Sequence, residues 1–225
     1  MLRKFLLVFT TILMSVLLVA CGGNKEEAAP EVPQVEISDE EKFAEDEVIV
    51  TVNDEDVTGR TYNLVYSQLK LEAVQTGQDL SDEEIKELTI ESIIDRQLLM
   101  QKAKEEGIVV TEEEVAEELE QIKAENEEGI QTILEQYQIT EDLLQHQLVY
   151  EFTYEQYVDE TIDIELTKEE VEEIYKEMKE ENEDLPDLME VYDTFKNQLE
   201  SIRKGEELQS RIEKFKGEST IETHI

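Results

Sequence analysis

Apolar positions along this chain recur at two periods. From Val48 to Val52 the run VIVTV is β-branched and apolar on both faces, which predicts a short buried strand. Beyond it the spacing becomes helical. Tyr62, Val65, Leu69 and Ala73 form one stripe, and Val115, Leu119 and Ile122 form another. Between Ile85 and Ala103 the apolar face widens to take in Ile90, Ile93, Ile94, Leu98 and Leu99, so this helix is expected at the centre of the fold. A long helix is predicted from about Thr140 to Glu160, and a last one from Pro186, near its first turn, to about Phe215. The closing STIETHI, Ser219 to Ile225, alternates as a strand does.

Helix starts are marked by capping boxes, in which a Ser or Thr and a Glu three residues on satisfy first-turn N–H groups. Ser81 with Glu84, Thr111 with Glu114 and Thr167 with Glu170 all fit, and Gly107 is placed as a C′ glycine should be. The segments IVVTEEEVAEEL (Ile108 to Leu119) and IDIELTKEEVEEIY (Ile162 to Tyr175) use the same local solution twice, which is too few copies for a solenoid. Between strand and first helix stands NDEDVTG, Asn53 to Gly59. Its Asp54, Asp56, Thr58 and Gly59 match the first half of a calcium loop, but the twelfth position, where a bidentate Glu belongs, is Val65. The expected arrangement is therefore a strand, a tight turn at Asn53 and Asp54, and a helix capped by Thr58.

The N-terminus adds an address. MLRKFLLVFTTILMSVLLVAC has a basic start at Arg3 and Lys4, then an apolar run that is short for a membrane span. Its last residues, Leu18-Val19-Ala20-Cys21, resemble the lipobox of bacterial lipoproteins. That resemblance implies cleavage between Ala20 and Cys21 and acylation of Cys21. The competing reading is an ordinary secretory signal with an incidental cysteine. Cys21 is the only cysteine, so no intramolecular disulfide can form, and a lone thiol at the cleavage point suits lipidation. Residues 1–20 are thus expected as signal peptide and 21–47, acidic and holding two prolines, as a lipidated flexible tether. Residues 48–225 form the expected domain, on the extracytoplasmic face of a cell membrane.

Charge narrows the function. With 59 acidic residues against 20 basic ones, the formal charge of −39 excludes binding to nucleic-acid backbones. His146 and His224 stand in no metal-ligand spacing, and no nucleophile motif or phosphate loop is present, so no catalytic residue, metal ligand or cofactor site is assigned. The acidic runs read as solvated helix faces. One cluster differs. VYEFTYEQYV places Tyr150, Phe152, Tyr154 and Tyr157 on more than one face of a helix, either as core or as contacts for exposed segments of unfolded chains.

The order of these segments resembles the chaperone portion of SurA/PrsA-type extracytoplasmic foldases. The resemblance spans about Val48 to Ile225 and rests on VIVTVNDEDVT, on the helix that ends Leu98 to Ile108, on IDIELTKEEVEEIYKEM and on the final helix and strand. Asp54 stands where that family usually has Gly. Only ENEDLPDL separates the last two helices, where the family usually carries a parvulin prolyl-isomerase domain. The resemblance implies a mainly α, multi-helix SurA N-terminal-like domain with short terminal strands. It also implies a holdase for unfolded or newly secreted proteins, without isomerase catalysis. Two other readings stay open. One is an assembly lipoprotein that binds one defined partner or divalent cations. The other is a foldase relative whose isomerase activity is residual or supplied by a partner.

Overall fold

A computed structural model of the chain describes residues 37–225 apart from Gln138, Glu183 and the side chain of Gln136. Cys21, the signal peptide and most of the expected tether lie outside the described residues. Strand β1 (Val48–Val52) turns at Asn53 and Asp54 into β2 (Glu55–Thr58), which leads into α1 (Gly59–Thr76). Then follow α2 (Asp82–Glu105), α3 (Glu112–Tyr137), α4 (Glu141–Thr161), α5 (Lys168–Glu181), α6 (Leu188–Glu218) and β3 (Ile221–Thr223). The mainly α architecture expected from the sequence is what is found.

The sheet has the order β2-β1-β3 with both pairings antiparallel, so the strand nearest the start of the domain lies between its neighbour and the last strand of the chain. Val50 faces Val57 on one side and Thr223 on the other. Ile49, Val50 and Val52 are fully buried, as the doubly apolar run predicts. The second strand was not legible: DEDVT reads as turn residues, yet Glu55–Thr58 pairs with β1. Its acids serve the sheet rather than a calcium ion. The Thr51 hydroxyl donates to Asp56 at 2.8 Å, and Glu55 accepts from Gln97 at 2.6 Å and from Gln101 at 3.3 Å.

Among the described residues, three apolar clusters join the sheet and helices α1, α2, α3, α4 and α6. The first joins the sheet to α1 and the front half of α2 through Ile49, Val52, Tyr62, Tyr66 and Ile93. The second joins the back half of α2 to the end of α4 and to α6 through Leu99, Ala103, Tyr157, Leu208 and Ile212. The third is the α3–α4 hairpin, around Val115, Leu119, Leu144 and Leu148. Helix α2 contributes to the first two and packs on β1, α1, α4 and α6, which is the central place its wide apolar face predicts.

Several local expectations need correction. Thr58 does precede α1, but its side chain makes no capping bond. The first-turn N–H groups of Gly59 and Arg60, which have no partner within the helix, instead donate to the carbonyls of Glu47 (2.8 Å) and Glu45 (3.1 Å). Residues 37–47, read as tether, are therefore packed. Ile37 and Phe43 lie against the first cluster, Phe43 meets Tyr62 edge-on at 4.8 Å, and Asn63 bonds both the N–H and the carbonyl of Phe43. Positive φ falls on Asn53 (56°) and not on Asp54, so an L-residue in the family's glycine position carries no backbone penalty here. Pro186 lies outside α6, whose N-cap is Asp187. Helix α3 breaks at Asn126 (φ −152°, ψ 69°), whose side chain accepts from the N–H of Gly129 and restarts the helix. The capping boxes of Ser81, Thr111 and Thr167 all form.

Candidate functional site

A groove of about 480 Å³ opens between β2, the first turn of α1, the middle of α2, the Ile108–Val110 link and the first half of α4. Its position follows from how α2 ends. Gly107, at φ 85°, turns the chain out of the helix while the N–H of Ile108 returns to the carbonyl of Ala103 at 2.8 Å. The next three residues then alternate. Ile108 enters the second cluster, Val110 packs on the third, and Val109 is left 60% exposed at the groove. The floor is apolar, formed by Val57, Leu64, Ile93, Met100 and Val149 with the Tyr150 ring.

The rim is charged and tied together. Arg60 on α1 meets Asp142 on α4 at 2.5 Å, and Lys104 on α2 lies 3.5 Å from Glu55 on β2. His146 sits behind Arg60, with Nε2 3.3 Å from the Thr61 hydroxyl; burial and the neighbouring Arg60 push its pKa below the usual histidine range. Arg96 lies with its guanidinium 4.5 Å from the centre of the Tyr150 ring and donates to Gln147 at 2.8 Å and Gln68 at 3.2 Å. Burial pushes the Tyr150 hydroxyl up to about 12, so it stays protonated at any physiological pH.

The four aromatics singled out in the sequence separate. Tyr150 lines the groove. Tyr154 is half-buried, 6.3 Å from Tyr150, and packs with it on the second cluster. Phe152 points the other way, onto the third cluster. Tyr157, grouped with them in the sequence, is fully buried and stands in the second cluster as a core residue. Arg96, Met100, Val109 and His146 were missed as groove residues. A signal did exist: Ile93, Arg96 and Met100 share one helical stripe, as do His146, Val149, Tyr150 and Thr153. That the two stripes face each other is decided only by packing.

Among the described residues no cluster of His, Cys, Asp and Glu side chains is arranged to hold a metal ion. None of their helices is long and apolar enough to cross a membrane. Helix α5 passes to α6 through residues 182–187, closed by Tyr175 and Lys179 donating to the carbonyls of Pro186 and Leu185, each at 2.5 Å.

Comparison with known proteins agrees with this architecture. The family model for the SurA-like N-terminal domain matches residues 4–158. The chain is also similar to the foldase protein PrsA of Caldanaerobacter subterraneus subsp. tengcongensis, with 29% identity over 190 residues, 79% of this chain. The chain spans about half, 53%, of that relative's length.

Proposed function

The chain belongs to the family of SurA-like N-terminal domains, and on that premise we propose that it is a membrane-anchored, extracytoplasmic holdase. In this reading it takes exposed apolar segments of newly exported polypeptides into the groove and slows their aggregation. The observation that carries it is the apolar floor under a charged rim, with Val109 more than half exposed at its edge. A cleft of this kind removes apolar surface of a client from water, at about 25 cal/mol per Å². The −39 charge keeps the holdase soluble and separates its copies. Anchoring through acylated Cys21 would hold the groove near the site where unfolded chains emerge. No catalytic residue enters this mechanism, because holding a client requires binding and release and no bond making.

The test is aggregation of an unfolded exported protein, followed by light scattering with the full chain in lipid nanodiscs. Suppression near equimolar ratio is expected. Val109→Asp, which alters an exposed side chain, should abolish most of it while leaving thermal unfolding unchanged. No suppression at any ratio would sink the holdase reading. The anchor is tested separately: a clickable palmitate should label the wild type in cells and not Cys21→Ala.

A further inference from the structure

Cations in this chain are greatly outnumbered, and most of those at the groove are taken by carboxylates: Arg60 by Asp142, Lys104 by Glu55. Arg96 is different. It makes no ion pair among the described residues, and its protein hydrogen bonds go to neutral amide oxygens, Oε1 of Gln147 and Oε1 of Gln68. These come from α4 and α1, while one face of the guanidinium is covered by Tyr150. Three helices therefore fix its plane. Gln147 is itself buried, and its Nε2 donates to Glu151 at 2.5 Å, which turns the amide oxygen toward Arg96.

We propose that Arg96 is the recognition group of the groove, donating to a main-chain carbonyl of an extended apolar segment bound along its floor. This rests on the holdase reading above. A guanidinium carries five N–H donors in a rigid fork, and protein oxygens take two of them here. Glu151 acts on Arg96 only from a distance, and a carboxylate in direct contact, the commonest side chain available in this sequence, would take two more of these donors and stabilise the cation more. Its absence leaves donors beside an apolar surface. An extended segment needs that combination: alternate side chains enter the floor, and each carbonyl that loses water requires a new donor. The carbonyl is favoured over a carboxylate because the chain's large negative charge disfavours acidic ligands at long range. Recognition through the main chain also leaves the groove tolerant of sequence, as a holdase must be.

The experiment is fluorescence anisotropy with the full chain in detergent and a labelled, C-terminally amidated peptide of alternating Leu and Ser. A matching series replaces each amide in turn by an ester, a weaker acceptor. In the wild type, one position of the series should weaken binding about fivefold or more, the scale of a hydrogen bond to a charged donor. Arg96→Met should bind the amide peptide more weakly and lose that position-specific penalty. An unchanged ester profile in Arg96→Met would overturn the assignment, as would binding confined to peptides that end in a free carboxylate. If Arg96→Met does not fold, Arg96→Lys serves instead: its shorter, single ammonium should shrink the position-specific penalty or move it along the series, and an unchanged profile would overturn the assignment. Failure of the wild type to bind any of these peptides would instead remove the holdase reading, and this assignment with it.

Discussion

Asn53 and Thr220 exchange two hydrogen bonds: the Asn53 N–H donates to the Thr220 carbonyl at 2.7 Å, and the Thr220 N–H donates to Asn53 Oδ1 at 3.1 Å. One residue in a left-handed turn thereby fastens the end of the chain to the strand that begins the sheet. The Asn53 amide also donates to Gln101 at 2.7 Å, reaching the central helix. Asn53→Ala should cost about 1–3 kcal/mol, since it loses these side-chain bonds and puts a less tolerant residue at positive φ. Asn53→Gly, which relieves φ but not the lost bonds, should fall between the two. Denaturant midpoints of the three proteins check the order.

Gly59 opens α1, a place where Gly→Ala ordinarily helps a helix by up to about 1 kcal/mol. Here a Cβ would stand 2.1 Å from the Ala44 carbonyl oxygen and 3.1 Å from the Phe43 Cβ. Gly59→Ala should therefore destabilise, with faster hydrogen exchange at Phe43 and Glu47. A neutral or stabilising result would show that residues 43–47 yield easily.

Glu41 accepts from Tyr66 at 2.8 Å and is paired with Lys70. Burial alone would raise its carboxyl, but the bonds from Lys70, Ser38 and Tyr66 prevail and hold it at about 2. A carboxyl lowered on folding contributes stability that is full above its ordinary value of 4.5 and is lost as pH falls toward 2. Glu41→Gln should lower stability at neutral pH and flatten this acid limb. Melting temperature against pH, with exchange of residues 37–47, measures both.

Lys216 on α6 reaches Asp95 on α2 at 2.7 Å, with Glu213 at 3.0 Å and Glu91 at 3.4 Å. Burial raises the Asp95 carboxyl in spite of Lys216. Lys216→Met would leave that carboxylate without its cation, at about 2–4 kcal/mol. A carboxyl raised on folding loses stability as pH rises, so the deficit should be larger at about pH 8 than at about pH 5. Asp95→Asn in the same chain should recover most of it. Chemical denaturation at the two pH values decides.

His146 gives the third pH effect, of the opposite sense to Asp95. Its pKa is lowered by burial and by Arg60, so folding favours the neutral ring, and stability should fall as pH drops below the ordinary histidine value of 6.5. His146→Gln should remove that component, as read from denaturant midpoints through the same range.

Local chemistry was written in the chain itself. Capping boxes at Ser81, Thr111 and Thr167, the C′ glycine at 107 and the wide apolar face of α2 act within a few residues, so composition and spacing sufficed to place them. What depended on partners distant in sequence was decided by the tertiary structure. EDVT, Glu55 to Thr58, became a strand because β1 offered it an edge, and Gly59 matters because Ala44 passes within contact of it. Tyr157 was withdrawn into the core when α6 covered it. The groove itself exists only because α2 and α4 bring the Ile93–Arg96–Met100 stripe against His146 and Tyr150. Spacing along one helix determines which side chains share a face; only packing determines what that face meets.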